Sequence, residues 1–190
     1  MQILVLSERH ACRPEVERFI ADVYRDHYAA SVPSFPPHLI ALFDRGGECL
    51  CASGLRFAET GFFSERYLDI PIEQLLSQAT RAPIRRESIF EVSGLASRVP
   101  HRATRFLRYV VSYGELAGFD WAFFTATNRL RALLRHLELA PLALTPADPK
   151  RLGDAHVWGS YYDAAPVVCA VHRTAARDFL AGQTRRAAHA

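Results

Sequence analysis

Residues 88–128 read SIFEVSGLASRVPHRATRFLRYVVSYGELAGFDWAFFTATN, and this stretch predicts the unit around which the chain folds. Its runs IFEV and WAFFTAT are rich in β-branched and aromatic residues, which is typical of strands buried on both faces. Between them, residues 104–117 are long and apolar enough for a helix, and Gly118 follows where a helix-terminating glycine is expected. Two strands joined by a crossover helix are parallel and right-handed. The stretch therefore predicts a parallel β-α-β unit.

The patterns on either side of this unit extend it to one α/β domain over residues 1–175. The element order is β-α-β-β-α-β-α-β-α-β-β, which favours a mixed sheet with helices on both faces and hence three α-β-α layers. Asn128 is the expected N-cap of the helix that follows the unit. Residues 176–190 are predicted to form a C-terminal tail, either a frayed helix or a disordered segment.

Composition sets limits on the function. The 190 residues are 49% hydrophobic and 23% charged, which is ordinary for a soluble globular domain with a substantial core. The net charge of +3 is too small to favour nucleic acid, but it favours anionic small molecules or acidic partners. The N-terminus has no basic segment typical of a signal peptide, and no apolar run approaches the ~18 residues of a membrane span. We therefore expect a cytoplasmic protein with no stable membrane insertion.

The standard signatures of several enzyme classes are missing from the sequence. It contains no P-loop, no GxGxxG after a strand, no HExxH and no GxSxG. None of the four cysteines forms a CxxC pair, and Cys49 and Cys51 lie two apart on a predicted strand, which points them the same way. We expect reduced, packed thiols and no metal site.

The turn after the first strand of the unit is basic. Parallel strands that part at their carboxyl ends leave a crevice in which ligands bind, and the next helix offers unpaired N–H groups there. Arg98, Arg102 and Arg105 would add charge-assisted hydrogen bonds to a phosphate group. The alternative is that these arginines only cover an exposed turn.

Glu91 is an unusual residue for the first strand of the unit, which is otherwise apolar. A buried carboxylate is costly unless it is paired or functional. If Glu91 faces the crevice, burial raises its pKa and suits it to act as a general base. Ser93 shares its face of the strand and would hydrogen-bond a substrate. A structural ion pair between Glu91 and a nearby arginine remains the alternative.

Two further segments concentrate polar or aromatic groups. The segment ERYLDIPIE (65–73) is either a binding site for a substrate amine or a loop-to-helix junction with helix caps. Tyr161 and Tyr162 follow Gly159 and Ser160, where a phenol would protonate a leaving thiolate as a general acid. A packed aromatic corner is the alternative for the tyrosines.

The segments ERYLDIPIEQLL, EVSGLAS, LAGFDWAFFTAT and TPADPKRLGDAHVWGSYYDAAPVV resemble the thermostable hemolysin family over residues 1–175. That family is similar to GNAT-type N-acyltransferases, and within them to the acyl-homoserine-lactone (autoinducer) synthases. Residues 91–96 resemble the Glu-x-Ser-Arg-x-x strand of the synthases, with Gly94 in place of the arginine. The segment SRVPHRATR replaces the glycine-rich pyrophosphate loop of acetyl-CoA-dependent GNAT enzymes.

The resemblance implies a GNAT-like mixed central sheet whose parallel β-α-β core binds an acyl donor. The donor is acyl-CoA or the phosphopantetheine of an acyl carrier protein, used as co-substrate, with no permanently bound cofactor. An arginine-rich rim favours an acidic carrier protein. The acyl group would pass from the thioester to a small amine acceptor.

Each predicted site residue has a role in this reaction. Glu91 is the expected base, acting directly or through water, Ser93 would hydrogen-bond the substrate, and Tyr161 or Tyr162 is the expected acid. The donor site is predicted to consist of Leu95, Ala96, Ser97, Arg98, Arg102, Thr104 and Arg105. Within it, backbone N–H groups around Leu95 to Ser97 are the predicted oxyanion site, and Arg98, Arg102, Thr104 and Arg105 would hold the pantetheine phosphate. The residues predicted to hold the acceptor are Glu65, Arg66, Tyr67, Asp69, Thr125 and Asn128.

Two other functions stay open at this point. The family name implies a membrane-damaging hemolysin, although the sequence shows neither a secretion signal nor an amphipathic transmembrane hairpin. The second alternative is a non-catalytic module that binds acyl-CoA or a carrier protein.

Overall fold

The computed structural model describes residues 1–139 and 141–188 and contains one seven-stranded mixed sheet. The strands are β1 (Gln2–Leu6), β2 (His38–Phe43), β3 (Cys49–Arg56), β4 (Ile89–Ser97), β5 (Trp121–Ala126), β6 (Leu142–Pro146) and β7 (Val167–His172). The helices are α1 (Arg13–Tyr28), α2 (Ile72–Thr80), α3 (Pro100–Leu116), α4 (Asn128–His136) and α5 (Arg173–Ala188). The order of strands across the sheet is β1-β2-β3-β4-β5-β7-β6.

The predicted parallel β-α-β unit is confirmed as β4-α3-β5, and its two strands soon separate. They pair only from Ile89 opposite Trp121 to Glu91 opposite Phe123. Beyond Glu91, β4 continues along β3, whereas β5 continues along β7. The sheet therefore opens between β4 and β5 at the carboxyl ends of both strands.

A β-bulge lies in β4 just after this opening. Gly54 pairs with Ser93 and Ala52 pairs with Ala96, so β4 has one residue more than β3 in this interval. Gly94 lies in the bulge with φ of 59°, a conformation that residues with a Cβ adopt at a cost. The glycine at this position therefore follows from the backbone conformation of the bulge.

Helices cover both faces of the sheet, which confirms the predicted three-layer α/β architecture. On one face, Ile20 of α1 packs in one cluster with Leu39 of β2, and α2 packs beside it over β4 and β5. On the other face, Phe106 of α3 packs with Leu55 and Phe90, and α4 and α5 extend this layer. Side chains that alternate along β4 and β5 therefore reach two separate helical layers.

Two helix starts differ from the prediction. Helix α3 begins at Pro100 rather than at residue 104, because the fixed φ of proline suits the first helical turn. Arg102, Thr104 and Arg105 consequently lie within the helix and not in a turn. Helix α4 is capped by Thr127, whose hydroxyl accepts from the Leu130 amide at 3.4 Å. The prediction of Asn128 as N-cap is therefore wrong by one residue.

The C-terminal segment is helical rather than disordered over its described part. Helix α5 runs from Arg173 to Ala188, and Phe179 is buried in the cluster that contains Val171 of β7. The last two positions of the predicted tail, 189–190, lie outside the described residues.

The four cysteines are free thiols, as expected, but Cys49 and Cys51 do not point the same way. Cys49 packs in the α1 layer, whereas Cys51 packs in the α3 layer. The cause is a register shift between β2 and β3, where Leu42 pairs with Cys51 and Phe43 pairs with Cys49. The bulge adds one residue and reverses the alternation of side chains.

Candidate active site

Two cavities meet where β4 and β5 separate. The larger cavity has a volume of about 330 Å³ and extends between the sheet and helices α3, α4 and α5. The smaller has a volume of about 80 Å³ and lies on the α1 face. Four residues line both cavities, namely Tyr24, Gly94, Thr125 and Tyr161. Ligands in the two cavities would therefore meet at these four residues.

The larger cavity is mainly apolar. Its lining includes Leu95, Leu107, Val111, Leu130 and Leu133. Its volume falls in the range of about 300–1,000 Å³ that is usual for ligand pockets. A lining of this kind suits a hydrocarbon chain better than a polar metabolite.

The smaller cavity combines aromatic and polar groups. Phe35, Phe63 and Trp158 contribute rings, and Arg56 and Ser93 contribute donors from the sheet. Part of the wall of this cavity requires glycine at position 54. A Cβ at this position would lie 2.3 Å from Pro36 Cγ and 2.8 Å from Ser93 Oγ. A side chain here would displace the proline that encloses the cavity.

Glu91 is completely buried and lines neither cavity. Its Oε2 accepts from the Phe63 amide at 2.6 Å, and its Oε1 accepts from the Ser64 amide at 2.9 Å and the Ser64 hydroxyl at 2.6 Å. Burial raises the pKa of Glu91, while the Ser64 and Phe63 bonds and the charge of Arg56 oppose this. The pKa shift has the direction expected from the sequence.

The surroundings of Glu91 decide between the sequence-based alternatives for its position. Within the described residues Glu91 forms no ion pair, so the ion-pair alternative is wrong. Direct exposure to the crevice is also wrong, because Phe63 and Ser64 cover the carboxylate. A short loop thus takes the place that a counter-ion or a substrate would occupy.

Two hydroxyl groups connect the buried carboxylate to the cavities. The Ser64 hydroxyl donates to Glu91 and lies 2.9 Å from Thr125 Oγ1. Thr125, on β5, lines both cavities, which agrees with its prediction as a substrate-contacting residue. Ser64 was not predicted from the sequence, since it lies 27 residues from Glu91 with no motif linking them.

The two tyrosines predicted as acids have different surroundings. Tyr161 lines both cavities and packs against Tyr24 and Tyr28, and burial raises its pKa well above the usual value. Tyr162 lines neither cavity, and its hydroxyl is 2.7 Å from that of Tyr67. The aromatic packing alternative therefore holds for both rings, and Tyr161 alone of the two reaches the cavities.

The residues predicted to hold the donor do not all lie together. Leu95, Ser97 and Arg98 line the larger cavity, whereas Ala96 is buried in the α1 layer. Arg98 lies 3.7 Å from Asp26 on α1 and is about half exposed.

The other members of that set lie along α3, outside both linings. Arg102 contacts Met1 Sδ at 3.5 Å, and Arg105 donates to the Tyr109 hydroxyl at 3.3 Å. Thr104 is half-buried on the same helix.

Most residues predicted to hold the acceptor instead bind other protein groups. Glu65 accepts two bonds from Arg86, at 2.6 and 2.7 Å, and one from the Ile72 amide at the start of α2. Burial raises the pKa of Glu65, but these bonds outweigh it and hold that pKa below its usual range. Glu65 therefore fastens the loop to α2, as the junction alternative predicts.

Three other members of the predicted acceptor site also bind protein groups rather than face a cavity. Arg66 lies 3.6 Å from Asp154, and Asp69 is bonded by Arg151. Asn128 accepts from Arg131 within α4. Tyr67 lines the smaller cavity together with Thr125, so these two alone of the six predicted residues reach it.

The described residues contain no group of three or more His, Cys, Asp or Glu side chains placed to hold a metal ion. Among the described helices, none has the length and apolar character needed to cross a membrane.

Three solved structures have a fold similar to that of this chain. The crystal structure of TofI in an apo form is 12% identical, with 93% of this chain and 97% of that chain covered and a TM-score of 0.61. FeeM, an N-acyl amino acid synthase from uncultured soil microbes, is 14% identical over 92% and 98%, with a TM-score of 0.60. MesI, a CoA-dependent acyl-homoserine lactone synthase, is 15% identical over 95% of each chain, with a TM-score of 0.58. The GNAT-like α/β fold predicted from the sequence is therefore confirmed.

The family follows from the sequence itself. The family model described as thermostable hemolysin matches residues 6–177, and the chain belongs to that family. A search of curated proteins finds no match to the sequence.

Proposed function

We propose that the protein is an acyltransferase that moves an acyl group from a CoA or acyl-carrier-protein thioester to a small amine. The supporting observation is the meeting of an apolar and a polar cavity at the gap between β4 and β5. The larger cavity takes the acyl chain and the smaller takes the amine. The thioester carbonyl then lies beside Gly94 and Thr125, which line both. The descriptions of FeeM and MesI as acyl-transferring synthases support this reaction class.

Proton removal from the amine uses the connected hydroxyl groups. The amine attacks the thioester carbonyl carbon, the C–N bond forms and the C–S bond breaks. Thr125 accepts the amine proton while it donates its own to Ser64, which in turn donates to Glu91. The raised pKa of Glu91 makes it a stronger base than an exposed carboxylate.

The leaving thiolate needs a proton donor, and the oxyanion needs hydrogen-bond donors that stabilise its charge. Tyr161 keeps its proton because burial raises its pKa, and it donates that proton to the thiolate. The proton held by Glu91 returns through Ser64 and Thr125 to the phenolate of Tyr161, which lines the cavities together with Thr125, and this closes the cycle. Backbone N–H groups of β4 beyond Glu91 that point towards β5 have no strand partner, and those near Leu95 stabilise the oxyanion.

The donor phosphate is assigned to the segment that joins β4 to α3. Ser97 and Arg98 line the larger cavity there, next to the N-terminal turn of the helix. Arg102 and Arg105 extend the positive charge along α3. An acidic carrier protein would approach this side by electrostatic steering.

The direct test measures thiol release and acyl-amide formation by the purified protein. CoA and carrier-protein thioesters of several chain lengths are each offered with a panel of small amines, and products are identified by mass spectrometry. We expect an amide product and a stoichiometric thiol from at least one pair. Donor binding without turnover would contradict the proposal and support a binding module. Release of vesicle contents without any thioester would instead support a membrane-active hemolysin.

A further inference from the structure

Arg56 is a cation of the smaller cavity whose side chain forms no salt bridge and no hydrogen bond with the described residues. It ends β3 and is the one charged residue among the described residues of that lining. None of its side-chain nitrogens bonds to a described residue, and its Nε is also buried. Partly enclosed guanidinium groups are normally paired, because the lost hydration must be replaced. The unpaired Arg56 therefore indicates an anion that arrives from the cavity.

Glu91, the carboxylate paired opposite Arg56 in the sheet, does not form an ion pair with it. The two residues are paired opposite each other on β3 and β4, so their side chains share one face. However, Glu91 takes its hydrogen bonds from Phe63 and Ser64 and forms no ion pair with Arg56. The charge of Arg56 lowers the pKa of Glu91 through space only. The guanidinium keeps its bonding capacity for a ligand.

Two further donors lie in the same lining. Ser93 pairs with Gly54, two residues before Arg56, and therefore lies on the same face of the sheet. Trp158 contributes an indole whose Nε1 is buried without a partner among the described residues. A carboxylate accepts hydrogen bonds and donates none, so it matches a set of donors around a positive charge.

We propose that Arg56 binds the carboxylate of the acceptor, which is therefore a small amino acid rather than a simple amine. This inference rests on the proposed function for the reaction, but it makes its own claim about binding. Arg56 and Thr125 both line the smaller cavity, from β3 and β5, the strands on either side of β4. A carboxylate held by the long side chain of Arg56 leaves the amine directed at Thr125.

The test compares amino acids with the amines that lack only the carboxylate. Glycine, β-alanine and γ-aminobutyrate are paired with methylamine, ethylamine and propylamine, and binding is measured by calorimetry without any acyl donor. We expect each preferred acid to bind about 10- to 100-fold more tightly than its amine, the range for a charge-assisted contact. The three acids differ in the distance between amine and carboxylate. The acid that binds most tightly therefore shows how far the amine lies from Arg56.

Variants of Arg56 assign the effect to this residue. Arg56→Gln should reduce acid binding about 10- to 100-fold and leave amine binding unchanged. Arg56→Lys should lose less affinity for the acid than Arg56→Gln, because lysine keeps the positive charge although it lacks the forked geometry of the guanidinium group. Arg45→Gln removes the same charge at the exposed turn of the β2–β3 hairpin and should change nothing.

The outcomes separate this inference from the proposed function. Equal binding of acids and amines, or unchanged acid binding in Arg56→Gln, would overturn the inference even if thioesters are turned over. Acid binding that depends on Arg56 would support it even if no thioester reacts. If thermal denaturation shows that Arg56→Gln does not fold, the comparison of acids and amines on the wild-type protein decides.

Discussion

Ser64 and Glu91 are joined by two hydrogen bonds, one from the Ser64 amide at 2.9 Å and one from its hydroxyl at 2.6 Å. These bonds hold the loop after β3 over the first half of β4 and enclose the carboxylate. The same hydroxyl lies 2.9 Å from Thr125, at the gap in the sheet. A carboxyl group with a raised pKa thereby gains a path for protons without contact with solvent.

Glu91→Gln tests this path directly. The amide side chain has the same shape but cannot accept a proton, so kcat/KM should fall by about 100- to 10,000-fold. One amide N–H of the loop would also face the new NH₂ group, and the free energy of unfolding should fall by about 1–3 kcal/mol. Steady-state kinetics and urea denaturation measure the two effects. Glu48→Gln, at an exposed position, is the control, and wild-type kcat/KM in Glu91→Gln would refute the role of base.

The raised pKa of Glu91 also predicts two pH dependences. The acidic limb of kcat/KM should lie above the ~4.3 of an ordinary glutamate. Folded Glu91 keeps its proton at pH values where the unfolded chain has already lost it. The stability should therefore fall as the pH rises from the unfolded pKa to the folded pKa. Denaturation at several pH values should show this slope in the wild type and a shallower one in Glu91→Gln. Identical slopes would contradict a raised pKa.

Thr125→Val keeps the side-chain shape but removes the hydroxyl that connects Ser64, which lines only the smaller cavity, to the point where the two cavities meet. We expect kcat to fall by about 100-fold, the lower end of the range for assisted proton transfer, with little change in donor affinity. Thr125→Ser retains the hydroxyl and should keep most of the activity. Single-turnover kinetics with saturating donor measure the chemical step. Equal loss in the Val and Ser variants would mean that shape, and not the proton path, explains the effect.

The β-α-β unit was predictable from sequence because its signals are local. The apolar runs of β4 and β5 and the position of Gly118, which has φ of 81°, mark the elements without reference to the rest of the chain. The start of α3 was misplaced because the apolar stripe begins later than Pro100. The proline was the signal that could have corrected it.

The parts of the site that were missed depend on distant contacts. Glu91 was recognised as a costly charge in an apolar strand, but its donors come from Phe63 and Ser64, which no spacing relates to it. Arg56 follows Leu55 at the end of β3 and looks like a strand-end charge. Its lack of a partner can be seen only in the folded chain. The sequence therefore predicts which charged groups cost free energy when buried, and the structure shows which hydrogen-bond partners they have.

Tyr161→Phe tests the assignment of the acid. Loss of the phenol should slow turnover of alkyl thioesters by about 100-fold, because the thiolate then leaves without its proton. A donor with an acidic aromatic thiol needs less help, so the loss should shrink for that donor. Tyr162→Phe is the matched control, since Tyr162 itself lines neither cavity. A uniform loss across donors would assign Tyr161 to packing instead.

The preferred acyl chain length should follow the size of the larger cavity. Val111, on α3, lines this cavity, and Val111→Phe fills part of it with a ring. Each buried methylene contributes about 0.8 kcal/mol, so kcat/KM should rise about 4-fold per carbon until the cavity is full. In Val111→Phe this rise should stop at a shorter chain, with short donors unaffected. Leu116→Phe places the same ring on an exposed site of the same helix and should leave the profile unchanged. An unaltered optimum in Val111→Phe would place the acyl chain outside this cavity.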